Sequence, residues 1–121
     1  MERHRVWVGM AALCGLLAVA AGAFAAHGLK ASGDARAVAL VETGSQYQMA
    51  HALAMLAYAA LGWPSRLPLL CWTIGIVLFA FSLYALAFGA PTGIAVITPV
   101  GGTAFLAGWA ALAWQAFRAR G

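Results

Sequence analysis

The stretch that decides the fold is Val6 to Ala26, "VWVGMAALCGLLAVAAGAFAA", 21 residues without one charged side chain. A bilayer core about 30 Å thick is crossed by about 20 residues of helix, at about 1.5 Å per residue. In lipid the backbone has to satisfy its own polar groups, which makes such a run helical. Outward from it lie three further apolar runs, about Gln46 to Gly62, Leu69 to Phe88 and Ile94 to Phe117. The connections "WPSRLP" and "GAPTG" are too short for anything but antiparallel neighbours. The expected fold is an all-α membrane protein with four transmembrane helices in a compact antiparallel bundle, one integral-membrane domain over residues 1–121.

Composition agrees. Hydrophobic residues make up 64% of the chain and charged residues 8%, and the mean hydropathy is +0.89. So short a chain cannot bury that much apolar surface in a water-soluble core, so lipid has to cover the rest. The formal charge of +4 raises the question of nucleic acid. The basic residues are scattered at the ends of the runs and form no patch interleaved with aromatics, so no nucleic-acid partner is expected. The expected partners are the lipid bilayer, with the protein itself or a larger membrane assembly. Cys14 and Cys71 sit inside apolar runs without metal-ligand or redox spacing, and read as small packing residues. Leu13, directly before Cys14, argues against a lipid attachment signal. No metal or cofactor is expected.

Between the first two runs, "GLKASGDARAVALVETGS" carries Lys30, Asp34, Arg36 and Glu42. Ser32 or Asp34 is placed to cap a short surface helix there. Arg3, Arg5, Arg66, Arg118 and Arg120 fall on one side of the membrane, Lys30 and Arg36 on the other. Positive residues are retained in the cytoplasm, which puts both termini there, in an inner (plasma) membrane protein. An alternative reading is a signal peptide cleaved after Ala23-Phe24-Ala25. Its apolar core would have to be about 7–15 residues, shorter than the run present, which favours a retained span.

Small residues mark where helices approach closely in lipid. The first run offers Ala11, Gly15, Ala18, Gly22 and Ala25. The third offers Gly75, Ser82, Ala85 and Gly89, and the fourth Gly101, Ala104, Gly108 and Ala111. Pro99 lies inside the fourth run, so the helix either starts there with Thr98 as its cap or kinks.

Polarity concentrates in the second run, where Gly44, Gln48, His51, Met55, Tyr58 and Gly62 share one helical face and Tyr47 lies beside His51. Glu42 falls on the opposite side. His51 reads either as a hydrogen-bonded lock between two helices or as an intramembrane ligand, proton or metal site. His27 reads as a helix-end residue at headgroup level, with Gly28 ending the helix in the left-handed conformation. The first span exits where the second enters. That places His27, Tyr47, Gln48, His51 and Tyr84 in one candidate polar cluster beneath the outer surface.

Taken together, Gly22-Ala23-Phe24-Ala25-Ala26-His27-Gly28-Leu29, Glu42-Thr43-Gly44 with Tyr47 and His51, Leu78-Phe79 with Ser82-Leu83-Tyr84, and Thr98-Pro99 with Gly101-Gly102 and Gly108-Trp109 resemble the YgdD-like small membrane proteins of unknown function. The resemblance covers nearly the whole chain and departs at Ala25 and Phe81, where that family commonly carries glycine. It implies a four-helix inner-membrane protein with the motif residues near the outer face, and implies no reaction. No GxSxG, HExxH, phosphate loop or paired carboxylates point to catalysis. The expected role is a non-enzymatic structural or accessory membrane component. The alternative is a small homo-oligomeric transporter or channel using the polar cluster.

Overall fold

The computed structural model describes residues 2–118, and every element in them is helical. The first rod is α1, Glu2–Phe24, continued by a π turn over Ala25–Leu29. The second is α2, Ala35–Leu61. The third is α3, Leu67–Gly75, joined through a π turn at Ile76–Ala80 to α4, Phe81–Ala87. A 3-10 segment over Thr92–Val96 leads into α5, Ile97–Arg118. The expected surface helix is not a separate element. Asp34 caps it as read, its Oδ1 accepting from the Ala37 N–H at 3.0 Å, but the helix then runs without a break to Leu61. Gly44, expected on that face, is buried under the Tyr84 ring and lies within the helix.

Three of the rods, Glu2–Leu29, Leu67–Ala87 and Thr92–Arg118, are long and apolar enough to cross a membrane. The fourth expected span, Gln46–Gly62, ends with α2, whose Gln46, Gln48 and His51 lower its own hydropathy. Helix α2 nevertheless has more buried residues than any other element. It buries ten residues, from Ala37 to Ala59, against α1 on one side and the α3–α4 rod on the other. Helix α5 packs on α3 and on the π turn behind it.

The seams are close to those expected, with different residues carrying them. Ala11, Ala18 and Ala25 recur every seven residues and are almost fully buried. Gly15 has open space where a side chain would start, and at Gly22 a methyl would meet only the Ser45 hydroxyl at an ordinary 3.5 Å. On α5 the buried line is Gly101, Phe105 and Gly108. A methyl at Gly101 would run into the backbone of Leu78 and Phe79 in the π turn, and one at Gly108 into the Trp72 indole. Pro99 falls in the first turn of α5, where its missing N–H costs no helical bond. Thr98 is spent elsewhere: its hydroxyl pairs with Ser82 on α4.

Gly28 does not end the first helix. It lies inside the π turn in right-handed conformation, and the chain turns at Gly33, with φ of +80°. There the Gly33 N–H bonds the Lys30 carbonyl.

Candidate functional site: a polar core at mid-membrane

Gln48 is completely buried. Its Nε2 donates to the carbonyl of Cys14 at 2.8 Å, and its Oε1 accepts from the Tyr84 hydroxyl at 2.7 Å. One amide therefore joins α1, α2 and α4. Cys14 stands near the middle of the first apolar run, so this contact lies midway along α1 and not near the end that carries His27. His27 is thirteen residues along α1 from Cys14, 27 − 14, an axial distance of about 20 Å. Helix α2 runs antiparallel to α1 with Ser45 beside Gly22, so His51 too lies well away from His27 along the bundle.

The expected gathering of two histidines is therefore not what the fold makes. His27 is exposed in the π turn at one end of the molecule, while His51 is enclosed at 6% exposure. The misplacement has a physical cause: α2 begins at Ala35, eleven residues before the expected start of its apolar run at Gln46, which slides the polar face of α2 down along α1.

Around His51 a second group forms. Its Nδ1 is 2.8 Å from the carbonyl of Tyr47, and its Nε2 is 3.1 Å from the Trp109 indole nitrogen, which donates. The indole can only donate and the carbonyl can only accept, so a neutral imidazole carrying its proton on Nδ1 satisfies both contacts. The ring lies flat on Phe105, with centroids 3.7 Å apart and planes 9° apart. Tyr47 is about half exposed, its ring against Phe79. Of the five expected residues, Gln48 and Tyr84 bond directly, Tyr47 and His51 meet through a backbone carbonyl, and His27 stands apart.

The reading missed Phe105 and Trp109 as partners of His51. Their spacing from Gly101 and Gly108 was the available signal, since Phe105 shares the buried line of α5 with both glycines. The Trp72 indole fills the space beside Gly108, and its N–H is buried without a hydrogen-bond partner. Among the described residues, no three His, Cys, Asp or Glu side chains gather in a way that would hold a metal.

The model of a family described as a protein of unknown function, DUF423, matches residues 21–102. That range contains Gln48, His51 and Tyr84 and stops short of Phe105 and Trp109. A "UPF0382 membrane protein" of Haemophilus influenzae is 47% identical over 118 residues, covering 94% of this chain and 95% of its own. The "UPF0382 inner membrane protein YgdD" of Escherichia coli K12 is 40% identical over 114 residues, covering 89% of this chain and 86% of its own. A "UPF0382 membrane protein SSP2132" of Staphylococcus saprophyticus is 36% identical, covering 94% and 98%. No solved structure matches the chain. A chain this hydrophobic, with three helices long and apolar enough to span a bilayer and near-full-length relatives of that description, is a membrane protein and belongs to the DUF423 family.

Proposed function

We propose that the protein is a non-enzymatic structural or accessory component of the inner membrane, with α2 as a fourth span and both termini in the cytoplasm. One observation carries the reading: Gln48 and His51, the buried polar side chains of α2 that could line a path, end on neighbouring side chains and on backbone. Gln48 is held by Cys14 and Tyr84, and His51 by Tyr47 and Trp109. A transport site keeps polar groups facing a water-filled path, and these are spent on joining helices. Arg3 and Arg66 at one end of the molecule, with Arg118 closing α5, support the orientation. Arg120, part of the same charge count, lies outside the described residues.

An accessory component has a protein neighbour in the bilayer. The faces open to one include Leu16 on α1, 64% exposed, and Leu106 on α5, 71% exposed. A photo-crosslinking amino acid at either position in living cells should capture a second copy of the chain or one recurrent membrane protein. Capture of lipid alone from both faces would contradict the reading.

A further inference from the structure

At the end of the molecule where α1 begins and α2 gives way to α3, the chain encloses a recess of about 260 Å³. The start of α1 supplies Arg3, His4 and Trp7, and the turn between α2 and α3 supplies Trp63, Ser65 and Arg66. Among the described residues, no acidic side chain lines it. The turn is well held: Gly62 adopts φ of +71° to close α2, Tyr58 donates its hydroxyl to the Ser65 carbonyl at 2.8 Å, and the Leu67 N–H bonds the Ser65 hydroxyl. Trp7, at 9% exposure, forms part of the floor. Two arginines from distant parts of the sequence therefore line one concavity together with Trp7 and Trp63.

We infer that this recess is a binding site for a phosphate ester anion. Arginine forks match phosphate oxygens in a way that a lone positive charge does not. Basic pockets between helix ends at the membrane surface suit anionic headgroups, whose charge is attracted there within a Debye length. The aromatic wall gives the glycerol and upper chain of a lipid an amphipathic surface, as tryptophan does at the interface. Taking roughly 30 Å³ per water-sized group, the volume holds about nine such groups, close to a phosphoglycerol headgroup. Two sources carry this chemistry, a phospholipid and a soluble phosphate monoester.

The test is native mass spectrometry of the full chain in neutral detergent, with phosphatidylglycerol or phosphatidylcholine added and sn-glycerol 3-phosphate as the soluble probe. Arg3→Gln with Arg66→Gln removes two charges at the recess. Lys30→Gln with Arg36→Gln removes two at the opposite end. The unaltered chain and the opposite-end variant should retain phosphatidylglycerol, with at least a fivefold smaller retained fraction in the recess variant and little phosphatidylcholine on any of them. Retention of glycerol 3-phosphate in place of the lipid, with the same dependence on Arg3 and Arg66, also supports the site and assigns it to the soluble source. Equal retention by both variants, or equal retention of the two lipids, overturns it. Should the recess variant fail to fold, Arg3→Lys with Arg66→Lys keeps the charge without the fork. It should still prefer phosphatidylglycerol while holding it less than the unaltered chain, and loss of that preference overturns the proposal.

Discussion

Gln48 donates to the carbonyl of Cys14 at 2.8 Å, an amide on one helix bonding the backbone of another at the level where lipid offers nothing in exchange. The same amide accepts from Tyr84, which makes it the joint of three helices. Removing such a group leaves its partner without a bond.

Gln48→Leu should therefore lower stability by about 1–3 kcal/mol, the cost of a buried polar group left unpaired. Tyr84→Phe should cost less, nearer the roughly 0.6 kcal/mol typical of an interhelical bond in a membrane protein. Unfolding in mixed detergent micelles measures both. In the double variant the loss should fall short of the sum, since the orphaned hydroxyl is gone as well.

Glycines divide into those that fill a seam and those that only resemble one. Gly101→Ala puts a methyl into the backbone of the π turn at Leu78 and Phe79, and overpacking of this kind costs about 1–3 kcal/mol. Gly15→Ala meets nothing within 4 Å, so its melting temperature should match or exceed that of the unaltered chain. Equal losses at the two positions would mean that α5 does not lie against the π turn.

Ala25, the last residue of the alternative cleavage motif, is fully buried and lies at the start of the π turn that continues α1. A peptidase needs that backbone accessible and extended. The intact mass of protein purified from membranes should include Val6 to Ala26, and a mass beginning at Ala26 would remove α1 from the mature fold.

Orientation follows from charge. A reporter active only in the cytoplasm should work when fused at the C-terminus and fail when inserted at Gly33, between Lys30 and Asp34. The opposite pattern would invert the molecule and place the recess around Arg3 and Arg66 on the outer face.

The helical runs, their antiparallel order, the Asp34 cap and the meeting of Arg3 with Arg66 at one end were legible, because each depends on local composition or chain length. The depth of the polar residues was not. It is set by the register of α2 on α1, and that register depends on a helix that starts at Ala35, ten or so residues outside the apolar run that announces it. The same shift separates His27 from His51. The role of Gly28 was misread for a related reason: a π turn takes one extra residue into a helix without ending it, so a glycine there need not be a helix stop. Trp109 escaped notice as the partner of His51 because the pair is 58 residues apart in the sequence.

Gln48 and His51 are closed on neighbouring side chains and backbone, and the His51 ring reports on that closure. Nitrogen NMR of histidine-labelled protein in lipid bilayers, with His51→Leu assigning the signal among three histidines, distinguishes the two imidazole nitrogens. The account predicts one neutral tautomer at neutral pH, protonated on Nδ1 toward the Tyr47 carbonyl, with an Nε2 resonance that moves in Trp109→Phe. A proton on Nε2, or an imidazole exchanging freely with water and indifferent to Trp109, would contradict it.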